Sequence, residues 1–304
     1  MKAAIARAWR NPHVQMHFCV LLWGFTAILG KLISLSAIPL VFWRVSIVSL
    51  CLFLWPPLWR QLARVTRRDL GLSLVVGVLV TLHWLTFYGA IKLANASVGV
   101  VCIALAPVFL SLAEPLLARQ AIVRREVLLA AVSIVGVVLV VGGIPATMLA
   151  GFAVGTLSAF LDALFVVVNK RLAVRVPALA LTALELGAGV LLLGLLLPAW
   201  PLFGAAFAWP GEADLIRLLI LALACTLLPF ALSLVVLRRF SAFTVQLAVN
   251  MEPVYAIAIA AVFLGESREL GWPFYLGVAV ILGAILLHAR LQRSAPSPAY
   301  STGP

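Results

Sequence analysis

The chain has 304 residues, 64% of them hydrophobic and 11% charged, with a formal net charge of +12. Soluble domains carry about 25% charged residues, so this chain lacks the polar surface to coat a water-exposed globule, and a protein with many membrane spans is expected. The positive charge would suggest nucleic acid in a soluble protein, but here it sits in short clusters between apolar runs, the pattern of loops facing anionic lipid, and nucleic-acid binding is set aside.

The basic N-terminus is followed by no small-residue cleavage site, and the first apolar run is long enough to span, so it reads as a retained helix and not a signal peptide. A spanning helix needs about 20 apolar residues. Breaking the chain at Pro, Gly and charge clusters predicts ten spans: 14–36, 39–57, 70–91, 97–117, 127–143, 151–169, 178–197, 215–237, 243–263 and 272–289. With the N-terminus inside, most of the 22 basic residues fall on the cytoplasmic side, among them Arg60, Arg64, Arg67 and Arg68, then Lys170, Arg171 and Arg175, then Arg238 and Arg239. The basic clusters therefore place both termini in the cytoplasm, and the plasma membrane is the expected location. The outer loop 198–214, "PAWPLFGAAFAWPGEAD", has neither Lys nor Arg, and its Trp and Pro residues suit the outer interface. The tails 1–13 and 290–304 are read as cytoplasmic, the second disordered because it is rich in Pro and Ser. Cys19, Cys51, Cys102 and Cys225 lie in apolar spans without a Cys-x-x-Cys pair, so neither a disulfide framework nor a metal site is expected, and no cofactor motif is present.

The two halves resemble each other. At a constant spacing of 146, Leu82 aligns with Leu228, Lys92 with Arg238, Ala96 with Ala242, Pro107 with Pro253 and Val108 with Val254. Each half (14–143 and 150–289) then holds five spans. Five is odd, so the second copy inserts upside down. The predicted fold class is an all-α integral membrane protein of ten transmembrane helices arranged as two inverted five-helix repeats, an architecture common among secondary transporters.

The fourth and ninth spans carry the unusual residues. Pro107 and Pro253 are central in them, and each prevents a hydrogen bond to the carbonyl four residues earlier, Ile103 and Val249. A freed carbonyl is costly in lipid, so both helix kinks should face protein or a water-filled cavity. Glu252 stands beside the second kink, about 15 Å from either end of its helix. At 100° per residue Thr244, Glu252 and Tyr255 share one face of that helix, while Gln246 and Asn250 lie on another, so protein should surround it.

The segments "IALAPVFLSLAEPLLARQ", "LAVNMEPVYAIAIAAVFLGE", "LLWGFTAILGK" and "IPLVFWR" make the chain, over about 14–289, resemble the drug/metabolite transporter superfamily and its EamA-type ten-helix permeases. Asp162 departs from the family pattern, in which an aromatic or small residue is more usual at such a place. The resemblance implies transport of small metabolites, amino acids and related compounds among them, without fixing the substrate.

The residues expected to bind substrate or couple protons are Glu252, Asp162, His83, Arg44, Glu185, Asn250 and Tyr255. Buried carboxylates and a mid-span His are costly and mark ion or substrate paths. Asp162 and His83 could instead hydrogen-bond internally, Glu185 could pair with a cytoplasmic cation, and Arg44 could pair with an acid or snorkel outward. Gly151 and Gly155 form a G-x-x-x-G that reads as close helix packing.

The reading that follows is a secondary transporter, with export the favoured direction and protons a candidate coupling ion. It acts on a small-molecule substrate in a lipid bilayer, as a monomer or a homodimer. The competing readings are a lipid flippase, a regulatory membrane subunit and, less well supported, an intramembrane enzyme. For an enzyme, neither a Gly-x-Ser-x-Gly nor a His-Glu-x-x-His motif is present, and the lack of a Walker motif argues against direct ATP drive.

Overall fold

The computed structural model describes residues 11–118, 124–240, 245, 248–249, 251–265 and 268–293, and among them the only extended secondary structure is helical. The chain runs through α1 (Pro12–Leu32), α2 (Ala37–Phe53), α3 (Pro56–Leu62), α4 (Arg67–Leu93), α5 (Ala96–Ile103), α6 (Ala106–Ala118) and α7 (Arg124–Gly142). It continues through α8 (Leu149–Ala173), α9 (Ala178–Leu195), α10 (Glu212–Leu219), a π-helical stretch (Ile220–Leu227), α11 (Leu228–Leu237), α12 (Glu252–Phe263) and α13 (Trp272–Arg293).

Among the described residues, six helices are long and apolar enough to cross a membrane: Pro12–Leu32, Arg67–Leu93, Ala96–Leu117, Ala146–Ala173, Ala178–Leu195 and Glu212–Leu237. A seventh is counted if α2 and α3, bent by 91°, are one span. The bend follows from sequence. Trp55 precedes Pro56, so its backbone is extended (φ −90°, ψ 108°) and the helix stops at Phe53. The span expected to reach residue 57 is thus shorter. Apolar helical stretches in α7 (Ala131–Gly142) and α13 (Trp272–Ala284) are shorter still. The fold is all-helical as expected, with six or seven helices of spanning length where ten spans were predicted.

Local sequence sets several helix ends. The Asn11 side chain caps α1, accepting from the His13 N–H, and Pro12 opens the first turn, where its missing N–H costs nothing. Thr66 and Asn95 likewise cap α4 and α5. The fourth predicted span is broken between Ile103 and Ala106, and Pro107 is the second residue of the new segment. Pro253 is second in α12 in the same way. The tail expected to be disordered from residue 290 is helical through Arg293, and the rest of it lies outside the described residues.

The eighth span contains a feature the sequence reading missed. Pro229 cannot donate to the carbonyl four residues back, and the preceding turns widen into the π-helical stretch. The Thr226 hydroxyl donates to the Leu221 carbonyl five residues earlier at 2.6 Å. This turn sets Thr226 against α2 (see below).

A large core joins both halves of the chain, from Val20 and Ala27 of α1 through Val45 of α2 and Trp84 of α4 to Leu234 of α11 and Ala256 of α12. α8 packs closely on the first half at Gly151 and Gly155, where an added Cβ would lie 2.7 Å from that of Ala94 and 2.6 Å from the Cys102 sulfur. The loop 198–214 folds partly inward. Trp200 is buried, its Nε1–H donates to the Leu193 carbonyl, and its ring meets Phe42. Phe203 and Trp209 of the same loop are exposed.

Candidate functional site

A cavity of about 100 Å³ lies between the two halves, room for several waters or one small solute. Arg44, His83, Asp162 and Glu252 all line it, together with Trp23, Trp84, Phe165 and Phe230. Elements far apart in sequence converge here: α1, α2, α4 and α5 from the first half, and α8, α11 and α12 from the second. The wall is partly symmetric. Trp84 and Phe230 stand 146 residues apart, as do Ile103 and Val249, and all four line the cavity. The rings of Trp84 and Phe230 meet edge to face at 5.8 Å.

Arg44 is buried on the wall. Its Nε donates to the Thr226 hydroxyl at 2.6 Å and an Nη to the Tyr88 hydroxyl at 2.8 Å, and its guanidinium carbon is 3.9 Å from the centre of a Trp84 ring. Two neutral acceptors and an aromatic face fix the plane of the guanidinium without neutralising its charge. It does not snorkel outward.

His83 is held by α8. Its Nδ1 lies 3.0 Å from the Ser158 carbonyl oxygen and 2.9 Å from the Ser158 hydroxyl, and because the carbonyl can only accept, Nδ1 carries a proton. The Ser158 hydroxyl donates in turn to the His83 carbonyl at 2.9 Å. The partner of the ring nitrogen is thus Ser158, one turn before Asp162. Asp162 and Glu252, both buried, place two carboxyl groups on the same cavity as Arg44.

The other expected residues fall elsewhere. Tyr255 packs on α1 at Gly24 and does not line this cavity. Glu185 is fully buried in α9, behind the wall, where it adjoins Asn169, a wall residue. It pairs with no cation among the described residues. Asn250, Thr244 and Gln246 lie outside the described residues. Pro107 is off the wall, and Pro253 lines a narrow cleft against α5 with Val101 and Ala104. Sequence reasoning missed Asn169 and Thr226, and it weighed Tyr88 as a pocket residue but favoured packing. Thr226 acquires its role only through the widened turn.

The wall runs past Asn169 and Ser233 to Leu237 and Val245, and it includes neither Lys92 nor Asp214. At the Asp214 end of the helices, the Ser34 N–H and hydroxyl donate to the Asp214 carboxylate, the hydroxyl at 2.5 Å. Arg217 bridges Asp214 and the Leu32 carbonyl, Lys92 donates to the Ile33 carbonyl, and Trp43 donates to the Ala208 carbonyl. These contacts latch the α1–α2 turn to α10 and the loop before it. Beneath the latch Tyr88 packs on Gly30, where a Cβ would lie 2.4 Å from its ring.

The sequence profile described as the EamA-like transporter family matches the chain twice, over residues 14–142 and 149–290. Among solved structures, one described only as "Crystal structure of protein" superposes with a TM-score of 0.67 at 17% identity, over 93% of this chain and 97% of that one. This likeness speaks for the fold alone. No curated protein sequence is significantly similar to the chain.

Proposed function

Because the chain belongs to the EamA-like transporter family, we propose that it is a secondary transporter of the plasma membrane that carries small zwitterionic metabolites of the amino-acid class through this cavity by alternating access. The carrying observation is that Arg44, Asp162 and Glu252 share one cavity between the halves. A substrate carboxylate would bond to Arg44, whose fork suits a bidentate contact, and a substrate ammonium would meet Glu252 and Asp162. Trp23, Phe165 and Phe230 would take the apolar part. Two inverted five-helix halves, 14–143 and 150–289, would supply ten spans, with both tails (1–13 and 290–304) in the cytoplasm. The cavity then opens toward the cytoplasm and is latched shut outside, the state that loads an exporter. Rocking of the halves would break the Asp214 latch and open the other end.

The test is efflux from proteoliposomes preloaded with the common protein amino acids, read by mass spectrometry of the outside medium. Wild-type protein should release a subset of them. Glu252→Gln keeps the shape and removes the charge. Losing a charged hydrogen bond worth about 1.5–3 kcal/mol should slow release on the order of 10–100-fold. Wild-type release by the Gln variant would remove Glu252 from the site, and the absence of release by the wild type would remove the substrate class.

A further inference from the structure

Glu185 is the most deeply buried carboxyl among the described residues, with no exposed surface, and neither of its oxygens has a hydrogen-bond partner. Its polar neighbour is Asn169 of α8, close enough to act on it but outside normal hydrogen-bond geometry. Asn169 is 1% exposed, both of its amide atoms also lack partners, and it lines the cavity wall. So an unpartnered amide stands between the cavity and an unpartnered carboxyl.

Among the described residues the surroundings offer no counter-charge. α4 meets the Glu185 backbone at Gly77, where an added Cβ would lie 2.3 Å from the Glu185 carbonyl oxygen. Of its titratable groups, Asp69 pairs with Arg175, His83 with Ser158, Tyr88 with Arg44 and Lys92 with the Ile33 carbonyl, while Arg67 and Arg68 are exposed. α2 presents Phe53 to α9 at Gly187, and its Arg44 is held by Thr226 and Tyr88. On α8, Lys170 donates to the Leu237 and Phe240 carbonyls, and Asp162 belongs to the cavity. Arg60 of α3 is exposed, and α11 carries no titratable group. An ionised carboxylate in such a place costs several kcal/mol, and the same site accepts a neutral carboxylic acid at far lower cost. Packing alone would be served better by Leu, whereas an exchangeable proton requires this group.

We propose that Glu185 and Asn169 form a proton-binding site separate from the substrate site: the Glu185 carboxyl carries the coupling proton and exchanges it with water that enters from the cavity, and the Asn169 amide donates to the carboxylate once the proton has left. The proposal rests on the transport reading for its purpose, not for its chemistry. Proton binding at Glu185 would be linked to substrate binding because both sites share α8, through Asn169 and Asp162 two turns apart.

Two readouts test it. Dicyclohexylcarbodiimide reacts with protonated carboxyls in apolar surroundings, and peptide mass spectrometry locates the adduct. The full-length wild-type protein should be labelled at Glu185 in acid and progressively less as the pH rises, and Asn169→Leu, which removes the donor to the ionised carboxyl, should let the labelling persist to higher pH. In proteoliposomes loaded with the amino-acid mixture, Glu185→Gln should lose efflux driven by a pH gradient of either polarity, yet retain exchange of labelled for unlabelled amino acid at the wild-type rate. Absence of labelling at Glu185 in acid, or wild-type gradient-driven efflux by Glu185→Gln, would overturn the proposal. If the wild type moves no amino acid at all, the substrate reading falls, and the labelling still decides the proton site.

Discussion

Arg44→Lys is expected to reduce efflux of the amino-acid mixture on the order of 10–100-fold, and Arg44→Ala to abolish it. The guanidinium spends its Nε on Thr226 and one Nη on Tyr88 while it lies over Trp84. This leaves donors of a planar fork to meet a substrate carboxylate. Lysine keeps the charge but has neither a planar fork nor the guanidinium's stacking geometry, so a contact worth about 1.5–3 kcal/mol is lost or misplaced. Alanine removes the charge and opens a void beside two hydroxyls. Size-exclusion profiles of the purified variants separate lost transport from lost fold. Lys should elute as the wild type does while transporting poorly, and equal transport by Lys and Arg would show that position 44 acts as a point charge without orientation.

Gly277→Val is expected to prevent accumulation of folded protein. α7 and α13 cross with their backbones in contact. A Cβ at Gly277 would lie 2.4 Å from the Gly136 carbonyl oxygen and 2.7 Å from the Val140 nitrogen, and one at Gly136 would lie 2.8 Å from the Gly277 carbonyl oxygen. Backbone cannot move aside as a flexible side chain can. Overpacking of this kind costs about 1–3 kcal/mol for small additions and more for larger ones, against a total stability of roughly 5–15 kcal/mol. Gly283→Val is the control, because nothing lies within 4 Å of a Cβ there. Yield and thermal aggregation temperature in detergent should fall sharply for the first variant and little for the second.

Much of the helical layout is legible in the sequence because apolar runs, basic clusters and prolines mark it independently. Arg44, His83, Asp162 and Glu252 stood out for a simple reason: each is polar where polarity is expensive. Their convergence was not legible. These spans are apolar on nearly every face, so periodicity does not report which way a residue points. Arg44 and Thr226 are 182 positions apart, and only the widened turn before Pro229 brings them together. Asn169 is the last residue of the sixth predicted span, and its place on the wall beside Glu185 depends on the packing of α8 against α9. The break at Pro56 was hidden because the run continues apolar through Trp55, and the restriction that proline places on its predecessor decides the geometry.

Side-specific labelling of a cysteine at Ser233 tests alternating access most directly. Ser233 lines the cavity, and Cys51, the exposed native thiol, would be replaced by Ser. With Asp214 intact, a membrane-impermeant thiol reagent should modify Ser233→Cys from the cytoplasmic face and not from outside. Adding Asp214→Ala removes the acceptor of the Ser34 and Arg217 bonds, so outer-face modification should rise as cytoplasmic modification falls. Modification from outside with the latch intact, an unchanged pattern once the latch is removed, or equal modification from both faces at once would contradict a cavity that opens to one side at a time.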